Sequence, residues 1–207
     1  MDVQNAIAAR RAYRSLAPVD VTDELIHDLA RNAGLSPSCD NNQPWRFIFV
    51  RDPAALSALH EALTRGNAWM KAASALIVVC GRADEDCIIR DREYVLFDLG
   101  LASAFLILRA TELGLVAHPV AGFSPKKTRE VLGIPEAYKV ITVIALGRKA
   151  EEINPVLRPD QVQEETARPE RNPFERFVFI DHFPAVDPGG PAMVPPAPAP
   201  PPAGKPA

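Results

Sequence analysis

Three arginines fall within five residues in the run Arg10-Arg11-Ala12-Tyr13-Arg14. A guanidinium is planar, stays charged at any working pH and donates two parallel hydrogen bonds to a phosphate, so the run is a candidate anion clamp. Downstream lies Pro37-Ser38-Cys39-Asp40-Asn41-Asn42-Gln43-Pro44-Trp45, a loop of hydroxyl and amide side chains followed by aromatic residues. Short donors and acceptors of this kind suit the polar edge of a flat heterocycle, with Trp45 and Phe47 as apolar anchors. Taken singly, each run has a plainer reading, as a solvated basic turn or an ordinary loop.

Other chemistries fail on spacing. There is no G-x-G-x-x-G after a strand, no G-x-x-x-x-G-K-[ST] and no H-E-x-x-H. The four histidines, His27, His60, His118 and His182, are scattered one to an element, and a lone histidine reads as a surface or satisfied core residue. Asp84-Glu85-Asp86 reads as a solvated turn. The three cysteines, Cys39, Cys80 and Cys87, are odd in number and lack C-x-x-C; neither a disulfide framework nor a zinc site is expected, and a reducing compartment is the simpler setting.

The elements that must position these runs can be read from periodicity. Helical spacing predicts helices over 3–11, over about 23–34 behind the candidate caps Asp20 and Thr22, over 53–63 and over 125–132, with Gly34 and Gly133 as stops. Strands are expected at 45–50, 115–121 and 140–146, and the unbroken apolar run 75–80 predicts a strand buried on both faces. Residues 94–113 form a helix apolar nearly all round, which needs cover on more than one side and so points to a partner subunit. The charged, proline-punctuated stretch 148–171 reads as an extended surface arm, and 177–180 as strand-like.

The chain has 207 residues, 47% hydrophobic and 24% charged, with net charge −3, enough for one well-buried core. The mild acidic excess argues against a nucleic-acid surface, which needs clustered cations. The start lacks a basic, then apolar, leader, and the greasy stretch 95–108 carries Asp98 and is too short to span a bilayer, so a cytoplasmic, membrane-free protein is expected. Ten of the 21 prolines fall in the last 24 residues. A folded domain over 1–183 and a disordered or polyproline-like tail over 184–207 follow.

In combination and in this order, R-R-x-x-R followed by S-P-S-x-x-N-x-Q-P-W-x-F resembles the FMN-dependent nitroreductase family. Further matches are Gly66-Asn67, Asp98-Leu99-Gly100, Leu113-Gly114-Leu115, Pro119-Val120-Ala121-Gly122-Phe123, Leu132-Gly133-Ile134-Pro135-Glu136, Ala145-Leu146-Gly147 and Arg171-Asn172-Pro173-Phe174-Glu175. The resemblance implies an α+β fold with a central, mostly antiparallel sheet flanked by helices, assembled as an intertwined homodimer that holds FMN at the subunit interface. It places Arg10 and Arg171 on the FMN phosphate, with Arg11 and Arg168 as further candidates, and Arg14 at the N1/O2 edge of the ring. Positive charge at that edge favours the anionic reduced flavin. Asn67 would meet the other polar edge and the backbone of Ala121 and Gly122 would face N5, while Pro37, Ser38, Cys39 and Asn41 would reach the same flavin from the second subunit.

Three departures stand out. Arg11-Ala12 replaces a pair that in the family carries a hydroxyl, and Ala121 stands where the family often has glutamate. Only twelve residues separate Gly81 from Tyr94, where larger members insert pocket-shaping helices. The implied activity is NAD(P)H-dependent reduction of an electron-poor acceptor such as a nitroaromatic or quinone. Dehalogenation, enoate reduction, ring oxidation or a non-catalytic FMN-binding module are the alternatives. No metal and no dedicated acid or base are implied; the flavin carries the chemistry and Arg14 tunes it.

Overall fold

In the computed structural model, which describes residues 1–184, the chain divides into one unit over Met1–Arg168 and a second over Pro169–Ala207. The first unit runs α1 (Val3–Ala9), β1 (Leu16–Ala17), α2 (Asp23–Gly34), β2 (Arg46–Val50), α3 (Pro53–His60), β3 (Ala75–Gly81), β4 (Ile88–Ile89), β5 (Arg92–Glu93), α4 (Tyr94–Glu112), β6 (Val116–Val120), α5 (Pro125–Leu132), β7 (Lys139–Lys149) and α6 (Pro159–Thr166). Helix starts follow their caps. Thr22 Oγ1 accepts the Leu25 N–H at 3.2 Å, Asp52 accepts that of Ala55 at 2.9 Å ahead of Pro53, and Ser124 accepts that of Lys127 at 3.3 Å. At the far end of α5, Gly133 takes the left-handed conformation (φ 66°) that a residue with a Cβ resists. Gly34, expected as a stop, is the last residue of α2.

The main sheet has the order β1-β7-β3-β2, with β6 also paired to β7, and every pairing in it is antiparallel. The α+β architecture with a central antiparallel sheet is as the sequence implied. All seven residues of β3 are buried, because alternate side chains feed two cores. Leu76, Val78 and Cys80 join Leu59, Trp69, Met70, Val143 and Ala145 on one face. Ala75, Ile77 and Val79 join Leu29, Ala33, Leu99, Leu106, Ala110 and Ile144 on the other.

Helix α4 covers this second face with Val95, Leu99, Ala102, Leu106 and Ala110, and leaves Leu96 (48% exposed), Phe97 (61%) and Phe105 (39%) uncovered. Its 19 residues, of mean hydropathy 1.5, make it long and apolar enough to cross a bilayer, longer than the stretch 95–108 suggested because Tyr94 and the turn after Leu108 extend it. The face packed on β3 and α2 identifies it as a core helix.

Four expectations are corrected. Residues 148–171 are not one extended arm: β7 runs on to Lys149, and Pro159 opens α6 at its first turn, where the missing N–H costs nothing. Residues 177–180 form no strand; the turn Phe174–Arg176 precedes them, and Phe174, Phe177 and Ile180 are exposed. Cys39 and Cys87, distant in sequence, are joined as a disulfide, which spacing alone did not reveal. Asp86 is not a solvated turn residue, since its Oδ2 is buried without a hydrogen-bond donor. The proline-rich tail expected over 184–207 lies, from residue 185 on, outside the described residues.

Candidate functional site

The arginine run leaves the C-terminal end of α1 and its backbone is held from two sides. From one side comes α6. Glu165, 8% exposed, accepts the Arg14 N–H at 2.6 Å and the Ser15 N–H at 3.1 Å with its two carboxylate oxygens. Glu164 accepts Arg11 Nη2 on its carbonyl (2.9 Å) and pairs through its carboxylate with Arg14 Nη1 (2.7 Å). Arg168, past the end of α6, donates through Nη2 to the carbonyls of Ala8 (2.6 Å) and Arg10 (2.8 Å), where a cation complements the end of a helix.

From the other side comes His118 of β6. Its Nδ1 lies 3.1 Å from the Tyr13 carbonyl, which can only accept, so the proton sits on Nδ1. The imidazole stacks on Trp69 at 4.6 Å between centroids. Burial pushes its pKa down to about 4; the bond to Tyr13 and Glu165 oppose this, and Arg14 and Arg10 reinforce it. His118 is thus the satisfied core histidine that the sequence allowed. Its folded pKa is depressed, so the unfolded chain takes up the proton first as pH falls. The stability that the neutral ring contributes is complete above its unfolded pKa near 6.5 and drains away as pH falls towards 4. Urea unfolding at pH 5 against pH 7 is expected to show a loss of about 2 kcal/mol that His118→Gln abolishes.

Trp69 continues the chain of contacts, donating through Nε1 to Asn67 Oδ1 at 3.3 Å. Asn67 in turn donates through Nδ2 to the Gly122 carbonyl at 2.9 Å, and Thr64 does so through both its backbone N–H and Oγ1, each at 3.0 Å. The space where a Cβ on Gly122 would stand is taken, with Asn67 Nδ2 at 2.5 Å and Thr64 Oγ1 at 2.7 Å. Gln161 of α6 donates to the Gly66 carbonyl at 3.1 Å. One helix therefore braces both the arginine run and the Asn67 turn, and Arg10, Arg11, Arg14, Asn67, Gly122 and Arg168 belong to a single connected frame. Ala121, exposed beside Gly122, offers backbone only.

The second set of candidates is held elsewhere. Ser38 Oγ accepts the Gln43 N–H at 3.0 Å, and the Cys39 N–H donates to Asp98 Oδ2 of α4 at 2.8 Å. Asn41 stands at φ 59°. Pro37, Ser38 and Cys39, without Asn41, line a cleft of about 300 Å³ together with Ile89, Tyr94 and Phe97. Arg171 is exposed and belongs to the unit that begins at Pro169.

Glu165, Gln161, His118 and Trp69, the bracing side chains, were not among the sequence candidates. Pro159-Asp160 carried a signal, a proline and an acid at the start of a helix, but nothing in a single sequence says which backbone a glutamate will bond.

A sequence model of the Nitroreductase family matches residues 7–68 and 61–148. A provisionally named NADH dehydrogenase/NAD(P)H nitroreductase of Archaeoglobus fulgidus is 36% identical over 151 residues, 70% of this chain and 84% of that protein. The NADH dehydrogenase of Thermus thermophilus is 27% identical over 183 residues, covering 73% and 89% of the two chains. A solved structure described as an oxidoreductase containing FMN superposes with a TM-score of 0.76 at 28% identity, over 89% of this chain and 94% of that one. Because the matched residues carry both the arginine run and the Asn67 to Gly122 contact, the chain belongs to the nitroreductase family.

Proposed function

We propose that two copies of the chain bind FMN between them and use NAD(P)H to reduce a small electron-poor acceptor of the nitroaromatic or quinone class. The observation that carries this reading is the frame in which α6 fixes both a cationic backbone segment and the turn at Asn67. The residues fit the group. Arg10 and Arg11 supply cations for a phosphate, and Asn67 keeps a second Nδ2 hydrogen for a ring edge beyond the one given to Gly122. Gly122 lets backbone approach where no side chain fits. When bound, FMN supplies the exchange of a hydride between NAD(P)H and the acceptor.

The chain's own part is positional and electrostatic. Arg14 is held by Glu164, which limits its motion and fixes the place of its guanidinium beside the frame. The exposed Leu96, Phe97 and Phe105 of α4 provide an apolar face for a second copy, and that copy would bring Pro37, Ser38, Cys39 and Asn41 to the flavin. The described residues supply no other cover for this face of the helix.

Anaerobic mixing of the FMN-loaded protein with NADH or NADPH tests the reading: bleaching of the yellow colour supports a reductase, and persistent colour supports a binding module instead. A panel of acceptors then sorts nitroaromatics and quinones from halides and enoates. Arg10→Ala is expected to weaken FMN binding by about 10- to 100-fold. Arg14→Ala should slow bleaching by at least about tenfold with a smaller effect on FMN affinity. Equal effects of both substitutions on both quantities would contradict this division of roles.

A further inference from the structure

The segment 37–43 is an improbable one to hold in place. Asp40 (φ 48°), Asn41 (φ 59°) and Gln43 (φ 52°) all sit in the left-handed region, which residues with a Cβ adopt at a cost. Hydrogen bonds hold it at several points, among them Cys39 N–H to Asp98, Gln43 N–H to Ser38 Oγ and Asn42 Nδ2 to Asp86 Oδ1 at 3.3 Å. A covalent link from Cys39 to Cys87 spans 48 residues of sequence and ties the segment to the turn before β4.

Both bonded cysteines are half-buried, and the cleft lined by Pro37, Ser38, Cys39 and Tyr94 opens on Cys39. The third cysteine, Cys80, is 1% exposed within β3, and burial pushes its thiol up. It cannot compete for a soluble reagent. Cys87 Sγ receives the Asn42 amide N–H at 3.7 Å, a donor able to steady a leaving thiolate, and lies 3.7 Å from Asp40 Oδ2. Next to Cys87, Asp86 keeps a buried, donorless Oδ2. Burial and the nearby Asp86 push the Asp98 carboxyl up, while the Cys39 N–H that it accepts opposes the shift.

We propose that Cys39–Cys87 is a reversible exchange site for a soluble thiol, and that its oxidised form latches segment 37–43. A thiolate attacks Cys39 Sγ, the S–S bond breaks, and its electron pair leaves on Cys87 Sγ, which is then protonated. A second thiolate attacks the mixed disulfide, so that one external disulfide is formed and two protein thiols remain. The consequence for flavin rests on the reading above that this segment meets FMN in a second copy.

The test equilibrates the full chain with reduced and oxidised glutathione at graded ratios. Native thiol titration and amide hydrogen exchange over 37–43 read the latch without any flavin. Two thiols should appear together as the ratio turns reducing, exchange over 37–43 should quicken by about tenfold or more, and Cys39→Ser or Cys87→Ser should exchange fast at every ratio while Cys80→Ser behaves as the parent. Resistance to millimolar glutathione, reduction without faster exchange, or stoichiometric zinc on Cys39, Asp40 and Cys87 in place of the disulfide would each overturn the latch. FMN affinity measured on the same samples separates the two readings. A rise in Kd on reduction supports both, whereas an opened latch with unchanged FMN affinity sinks the placement of this segment on the flavin and leaves the exchange site standing.

Discussion

Glu165→Ala should unfold at markedly lower denaturant than the parent, with a loss of about 3 kcal/mol, and should bind FMN poorly even where it remains folded. The carboxylate is buried, and its two oxygens satisfy the backbone N–H groups of Arg14 and Ser15 at 2.6 and 3.1 Å. Truncation strands both donors, of which Ser15 is itself 2% exposed. Leaving a buried donor unmade costs the desolvation of that group rather than the modest net value of a hydrogen bond. For a unit of this size the loss corresponds to a fall in melting temperature of roughly 6–12 °C. Glu165→Gln keeps an oxygen for one donor and should lose about half as much. The neighbour makes the control: Glu164 is 44% exposed and pairs with Arg14 at the surface, so Glu164→Ala should cost no more than about 1 kcal/mol. Thermal melts of the three variants check the order, and similar losses for Glu164→Ala and Glu165→Ala would refute it.

Gly122→Ala should be the most damaging single methyl in the site. The added carbon would stand 2.5 Å from Asn67 Nδ2 and 2.7 Å from Thr64 Oγ1, the groups that bond the Gly122 carbonyl. Side-chain ends can swing away, but here they can do so only by releasing that carbonyl. Asn67 would then also abandon Trp69 Nε1, on a side chain 1% exposed. We expect about 2 kcal/mol of stability to be lost and FMN affinity to fall by about 10- to 100-fold, measured by chemical unfolding and flavin fluorescence titration. Asn67→Ala in the same background decides the cause. If the clash with Asn67 is responsible, the double variant should be little worse than Asn67→Ala alone; additive losses would place the damage elsewhere.

The helices and strands that build the frame were legible because their signals are local. The apolar run that became β3, the cap at Thr22 and the glycine at 133 act on their own stretch of backbone. The misread region is equally instructive. Between 148 and 171 the prolines read as breakers, although Pro159 occupies the one helical turn that tolerates it. Phe177 and its neighbours carry strand-forming side chains but lack a ladder partner among the described residues, and a strand needs one for its backbone groups.

For the site itself, the sequence by itself determined the inventory: which cations, amides and glycine are present, and in an order that resembles one family. That order survives because covalent spacing is one-dimensional. Only the tertiary structure decided that Glu165 carries the backbone of Arg14 across 151 positions of sequence, that His118 and Trp69 join Tyr13 to Asn67, and that two of three cysteines meet. Apart from the one between Trp69 and Asn67, each of those contacts joins residues far apart along the chain. Hydrogen bonds and disulfides act over a few ångströms, so such partners are chosen by how elements distant in sequence pack together rather than by anything local to the residues that make them.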